Sequence, residues 1–352
     1  MAARPPRPAP RIGLVGHLLA AHGRVTTTTE VMARLLEADG YEVRTTSSRA
    51  GAAARLLDTV WSLVRWRGEV DVLLVSTYSG RSFVLADLTA LVARACRLPF
   101  ILVLHGGALP GQFRDHPRWA RRVLRSARLV VAPSEYLAVA ARGLGVQAEV
   151  IPNPLAIDDY LFVPRREVAP TLLWMRTFHP YYEPELAIRT LALVRRRFAG
   201  ATLTMAGADD GLLEATRALA RELGVADAVD FAGFLDPAGK ARAFAAHDIF
   251  LNTNQVDNTP VSVLEACAYG LPIVATAVGG IPYLLDDRSS ALLVPRSDPE
   301  AMAAAVVELV DDPVLAGALS TAGRAIAERS AWPVVRDQWL DVIQRRVTAD
   351  PA

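Results

Sequence analysis

Residues 248–283, DIFLNTNQVDNTPVSVLEACAYGLPIVATAVGGIPY, constrain this chain more than any other stretch. The apolar run 249–252 ends in Asn252, a polar loop follows, and then come a helical run, the β-branched run 273–276 and the turn Gly279-Gly280. Two short strands joined by a helix form a βαβ unit, whose parallel strands are buried on both faces. Thr259 reads as the helix N-cap and Pro260 as its first residue, where a missing N–H costs nothing. The N–H groups of Val261 and Ser262 then point outward at the positive end of the helix dipole, which suits a phosphate. Asp257 at the helix mouth and Glu265 on its first turns stand eight residues apart. A carboxylate at the loop suits sugar hydroxyls, and one further along the helix suits a ribose diol.

That stretch resembles the Glu-x7-Glu donor-binding motif of retaining glycosyltransferases of the GT-B fold, in the large group 1 glycosyl transferase family. The family's Glu-Ala-x-Ala-x-Gly-x-Pro-x-Val-x-Thr-x-x-Gly-Gly run reads here Glu265-Ala266-Cys267-Ala268-Tyr269-Gly270-Leu271-Pro272-Ile273-Val274, then Thr276 and Gly279-Gly280. The resemblance implies an α/β chain with two Rossmann-like, doubly wound domains facing across a cleft. It also implies a nucleotide-sugar donor as substrate, with no resident cofactor and no metal. An Asp-x-Asp motif of the metal-dependent transferases is absent from the sequence.

Length and composition fit that expectation. A chain of 352 residues with 52% hydrophobic residues has room for two α/β cores. Its two cysteines, Cys96 and Cys267, lie in apolar helical runs and read as buried thiols, so the cell interior is the simplest compartment. No apolar run reaches membrane-spanning length. Residues 1–165 carry 21 Arg against 13 acidic residues, a net +8, whereas residues 166–352 carry 17 basic and 24 acidic residues, a net −7. The basic half suits an anionic acceptor or an anionic membrane surface. The chain holds a single lysine, Lys240, and a bias toward arginine across the whole chain weakens what any one basic stretch implies.

Short apolar runs alternate with amphipathic ones, which predicts parallel sheets. Strands are expected at 12–15, 42–46, 72–76, 100–104, 129–132 and 149–151, and again at 171–175, 201–206, 229–232, 249–252 and 273–276. Residues 1–11 read as a disordered tail, 12–163 as an acceptor-binding domain and 164–330 as a nucleotide-sugar-binding domain. Tyr160–Pro170 reads as the linker between them. A helix in 331–352 resembles the family's terminal helix, which returns to the first domain.

The loop 16–29, with Gly23 and Thr26-Thr27-Thr28-Thr29, follows a strand and opens a helix. It fits either a plain helix cap or, as the resemblance implies, a backbone approach to the donor diphosphate. His105 directly follows the apolar strand 100–104, with Gly106 and Gly107 behind it. Alone it fits a structural role; the resemblance places it beside the donor sugar, with the two glycines on the acceptor side. Arg176 follows the first strand of the second half and resembles the family's diphosphate arginine, a role a charged planar fork suits. Gly207, Gly233 and Phe234 resemble the glycine and nucleobase loops, and Asn258 lies in the donor loop with Thr259, Pro260, Val261 and Ser262.

Four departures from the family pattern stand out. The lysine that usually follows the arginine is missing, and Tyr181 or Tyr182 stands near its place. Asp257 replaces the first glutamate, and Pro260 and Tyr283 replace a glycine and an acidic residue. Two readings follow. One is a hexosyl-type transferase, retaining and metal-independent, acting on a glycan, a lipid-linked glycan or a small molecule in polysaccharide biosynthesis. In that reading His105, Arg176, Asp257 and Glu265 carry the chemistry. The other is a non-catalytic binding or scaffold subunit. Two arginine-rich stretches with tryptophans, 55–67 and 114–128, fit either solvated helix faces or peripheral contact with an anionic membrane at the inner face of the cell membrane. Neither belongs to a nucleic-acid-binding module.

Overall fold

The computed structural model describes residues 9–18, 27–49 and 51–348. Gly23 and Thr26 of the glycine loop fall outside them, as does most of the expected tail. Arg11, assigned to that tail, is instead tied down. Its backbone N–H donates to Asp71 Oδ2 at 2.8 Å, and its guanidinium grips both oxygens of the same carboxylate.

The chain divides into two compact units: Met1–Pro154 with Trp332–Ala352, and Leu155–Ala331. In the first unit β1 (Ile12–Val15), α1 (Thr28–Ala38), β2 (Val43–Thr46), α2 (Ala52–Arg65), β3 (Val72–Thr77) and α3 (Arg81–Ala95) are followed by β4 (Phe100–Leu104), α4 (Leu109–Asp115) and α5 (Pro117–Ser126). Then come β5 (Leu129–Ala132), α6 (Glu135–Gly143) and β6 (Glu149–Val150). All six strands are parallel in the order β2-β1-β3-β4-β5-β6. α1 starts on a capping box, in which Thr27 and Glu30 satisfy each other's backbone N–H groups.

The second unit runs β7 (Thr171–Met175), α7 (Pro184–Arg197), β8 (Thr202–Ala206), α8 (Leu213–Glu222), β9 (Val229–Gly233), α9 (Pro237–Ala246) and β10 (Ile249–Asn252). It continues through α10 (Val261–Tyr269), β11 (Ile273–Thr276), α11 (Ile281–Leu284), β12 (Leu292–Val294), α12 (Pro299–Asp311) and α13 (Pro313–Arg329). The parallel order is β12-β11-β10-β7-β8-β9. Three helices here open on Asp-Pro: Asp236, Asp298 and Asp312 accept from the backbone N–H three residues on, and the proline fills the position where no N–H is needed. Sequence patterning did not signal β12, because a three-residue strand has no periodicity to read.

The closing helix α14 (Trp332–Thr348) belongs to the first unit. It lies on β3 and β4 and buries Val335, Trp339, Val342 and Ile343. Trp332 Nε1 donates to Asp39 at 2.9 Å, and Arg345 grips both oxygens of Glu149. The expected linker Tyr160–Pro170 is part of the second unit, which begins at Leu155. Val163 N–H donates to Tyr269 O, and the buried Arg165 donates to Phe244 O and pairs with Asp248. Gly270 permits this approach, since a Cβ there would stand 2.5 Å from Val163 O. Among the described residues no helix is long and apolar enough to cross a membrane.

Candidate functional site

In the second sheet the strand order reverses between β7 and β10, its first and fourth strands. Ligands of open parallel sheets bind outside the carboxyl ends at such a switch point. Arg176 leaves the end of β7 there, and Asn252–Asp257 leave the end of β10. The guanidinium of Arg176 pairs with the Asp257 carboxylate, and its Nε donates to Asn254 Oδ1 at 3.4 Å. Asn254 Nδ2 donates to Asp257 Oδ2 at 2.6 Å, and Asn258 N–H donates to Asp257 Oδ1 at 2.7 Å. The Tyr182 ring lies under the Arg176 guanidinium, 4.5 Å from its centroid. Burial pulls the Arg176 pKa below its ordinary value, opposed by Tyr182 and Glu265.

Close backbone packing sets this loop. Gly280 N–H donates to Asp257 O at 3.0 Å. A Cβ on Gly279 would stand 2.1 Å from Asp257 O, and one on Gly280 would stand 2.1 Å from Asn258 O. The Gly-Gly turn therefore presses the β11 side of the unit against the loop that holds Asp257 and Asn258. Gly207, after β8, serves Arg176 in the same way: its N–H donates to Gly233 O at 2.8 Å, and a Cβ would stand 1.8 Å from Arg176 O. The β8–β9 register shifts beside it, between Met205 and Ala206.

At α10 the structure corrects the expected cap. Pro260, not Thr259, is the N-cap, and no side chain caps the helix. Thr259 Oγ1 and Ser262 Oγ are instead buried without a hydrogen-bond partner, as are both side-chain polar atoms of Asn252. Val261 and Ser262 occupy the first helical positions, whose N–H groups lack intrahelical acceptors. The helix mouth thus gathers orphaned polar groups, which are costly when buried alone and point to a polar ligand. One turn on, Glu265 is 7% exposed, and its Oε1 pairs with Lys240 Nζ from α9.

The second unit therefore brings together Arg176, Asp257, Asn258 and the α10 start, with Gly207 and Gly233 joined beneath Arg176. Phe234, next along the loop, is 44% exposed. Sequence reasoning missed Asn252, Asn254 and the role of Lys240; of the two tyrosines it set near Arg176, Tyr182 is the one against the guanidinium. The Asn-Thr-Asn triplet closing an apolar strand was a readable signal for the first two. Nothing in the sequence pointed from Lys240 to Glu265.

His105, Gly106 and Gly107 belong to the first unit. His105 is buried, and burial pulls its pKa down to about 4, so the imidazole is neutral at physiological pH. Its ring stacks on Tyr78 at 5.2 Å, and Tyr78 meets His17 edge-on at 5.3 Å. His17 follows β1, Tyr78 follows β3 and His105 follows β4, so the trio crowns that sheet's own switch point between β1 and β3. A small cavity beside it is lined by Thr28, Thr29, Ser76, His105 and Trp339. Gly106 takes φ 88°, and Gly107 O accepts from Tyr136 Oη at 3.3 Å. Of the two arginine-rich stretches, 114–128 is woven into the fold: Trp119 Nε1 and Arg122 both donate to Asp87. In 55–67 Trp66 is core, whereas Leu57, Trp61 and Val64 are exposed on α2. Cys267 is buried, while Cys96 is only half-buried at the end of α3.

Comparisons with known proteins bear on the family and the fold. Residues 169–312 match the family of glycosyl transferases group 1, and residues 41–154 match the glycosyl transferase 4-like domain. The chain is 31% identical over 192 residues to D-inositol 3-phosphate glycosyltransferase of Saccharomonospora viridis, covering 51% of this chain and 44% of that protein. It is 27% identical over 293 residues to the GDP-mannose-dependent α-(1-6)-phosphatidylinositol monomannoside mannosyltransferase of Mycolicibacterium smegmatis, covering 77% and 74%. The chain thus spans less than half the length of the first of these relatives. Among solved structures, HepE of Anabaena in complex with UDP superposes with a TM-score of 0.73 at 18% identity, covering 95% of this chain and all of that one. Sucrose-phosphate synthase from Thermosynechococcus elongatus superposes with a TM-score of 0.79 at 17% identity, covering 97% and 100%. At these identities the likeness establishes the α/β GT-B fold.

Proposed function

Because the chain belongs to the group 1 family of glycosyl transferases, we propose that it moves a sugar from a nucleotide-sugar to an acceptor hydroxyl, with retention of anomeric configuration and without a metal. One observation carries the reading. At the switch point of the second unit, a largely buried arginine and two carboxylates stand with the orphaned Asn252 at the end of β10 and the orphaned Thr259 and Ser262 at the start of α10.

Each group has a task on the donor. Arg176 exchanges Asp257 for the diphosphate, and the α10 N–H groups with the Ser262 hydroxyl take the remaining phosphate oxygens. Charge that builds on the departing diphosphate is met by donors already in place, which supplies the stabilisation a metal supplies elsewhere. Asp257, released from Arg176, accepts from sugar hydroxyls, and Glu265 accepts from the ribose. The base lies against the Gly233-Phe234 loop. The anomeric bond to the β-phosphate oxygen breaks, the acceptor oxygen forms the new bond, and its proton leaves with the diphosphate.

The acceptor is assigned to the first unit, with His105, Gly106 and Gly107 on that side. Its excess of arginine favours an acceptor bearing a phosphate, as the inositol-phosphate and phosphatidylinositol relatives do. Leu57, Trp61 and Val64 form one exposed stripe of α2, with Arg65 over the Trp61 ring, and suit the surface of an anionic bilayer on the cytoplasmic side. Trp61→Ser is expected to weaken co-flotation with phosphatidylglycerol vesicles.

The test is release of nucleotide from UDP-, GDP-, ADP- and TDP-sugars in the presence of EDTA, with product anomers read by NMR. Turnover of one donor, retention of its anomeric configuration and loss of activity in Glu265→Ala are expected. Binding without turnover across acceptors that include inositol phosphate would contradict an enzyme. An inverted product would contradict the mechanism.

A further inference from the structure

The one lysine of the chain, against 37 arginines, sits on the Glu265 carboxylate. It is placed there by two local features. Asp236 caps α9 by accepting from Gly239 N–H at 2.6 Å, and Lys240 N–H donates to Asp236 O at 2.8 Å, which fixes the fourth helical position. From there the side chain crosses to α10. The Glu265 side chain is 9% exposed and that of Lys240 is 27% exposed, so the pair is largely withdrawn from water.

The contact runs from Nζ to Oε1 alone. Among the described residues no side chain or backbone N–H donates to Glu265 Oε2. That is what separates lysine from arginine here. An ammonium is a point charge that satisfies one carboxylate oxygen, whereas a guanidinium is a planar fork that engages both. We propose that Lys240 is a positioning residue of the donor site: it holds Glu265 through Oε1 so that Oε2 stays open to accept from the ribose diol. The inference rests on the donor-site reading above. It also returns one positive charge to a site that lacks the usual lysine after Arg176, from another element.

A buried carboxylate left without its cation is costly, so Lys240→Met loses both stability and ligand affinity. The discriminating variant is Lys240→Arg, which keeps the charge and the helix but closes both oxygens. The experiment is calorimetric titration of the full chain with whichever of UDP, GDP or ADP binds the wild type most tightly, and with its 2′,3′-dideoxy analogue. Wild type is expected to prefer the ribonucleotide by about tenfold or more, the scale of a hydrogen bond to a charged group. Lys240→Arg is expected to melt within a degree or two of wild type yet to bind both nucleotides alike, at the dideoxy level. If wild type prefers the ribonucleotide and Lys240→Arg keeps that preference, Lys240 is only a structural counter-ion and the proposal is overturned. If wild type binds none of the three, the donor-site reading itself fails.

Discussion

At the scale of single residues, the site is a set of charges held in reserve for one another. Arg176 and Asp257 neutralise each other, as do Lys240 and Glu265, and the Thr259 and Ser262 hydroxyls have no partner. Breaking one partner of a buried pair leaves the other charge unpaired, so Asp257→Ala is expected to cost a few kcal/mol of stability, on the order of 3, as well as turnover. A urea titration that separates midpoint from slope checks the stability part. His105 gives a pH prediction. Its ordinary pKa is 6.5 and burial holds it near 4 in the folded chain. Between those values the unfolded chain binds the proton and the folded chain does not, so stability falls as pH drops from 6.5 to 4. The loss from this one group is about 3 kcal/mol. Thermal melts from pH 7 to 4 are expected to show that slope in wild type and a flatter one in His105→Asn. Because His105 is already neutral above pH 5, it contributes no limb near 6.5 to a rate profile.

At the scale of elements, glycines let strands and loops approach at the distances the site requires. Gly207→Ala would set a Cβ 1.8 Å from Arg176 O, and Gly280→Ala would set one 2.1 Å from Asn258 O. Each is expected to cost about 1–3 kcal/mol through forced backbone shifts and to weaken nucleotide binding. Gly200→Ala, whose Cβ meets nothing within 4 Å, is the control expected to change neither. Elements were the most legible level in the sequence. Parallel strands buried on both faces read as apolar runs, and the βαβ stretch at 248–283 announced its own strand ends. β12 escaped because three residues carry no period. Local competition misled the cap of α10: Thr259 has the right chemistry, but the chain enters the helix at Pro260 and leaves the hydroxyl free for another purpose. The side-chain pairs were illegible for a different reason. Lys240 and Glu265 meet only because α9 and α10 pack together, and packing of that kind leaves no trace in spacing along the chain.

At the scale of the molecule, the chain leaves the first unit at Pro154 and re-enters it at Trp332. The second unit is therefore continuous and owns complete cores on both faces of its sheet. Residues 155–331 alone are expected to unfold cooperatively and to bind nucleotide. Truncation after Ala331 removes Val335, Trp339, Val342 and Ile343 from β3 and β4. Each buried side chain of this kind stabilises by about 1.5–3 kcal/mol, and a domain has only about 5–15 to lose. Calorimetry of the truncated chain should therefore keep the transition of the second unit and lose that of the first. The central claim is that the switch point of the second unit is a metal-independent nucleotide-diphosphate site. It is tested most directly by titrating UDP, GDP and ADP into the full chain in EDTA, alongside Glu265→Ala and Arg176→Ala. Micromolar binding of one nucleotide, weakened at least tenfold in both variants, is the predicted result. Binding that appears only with added metal, or that survives both substitutions, would contradict it.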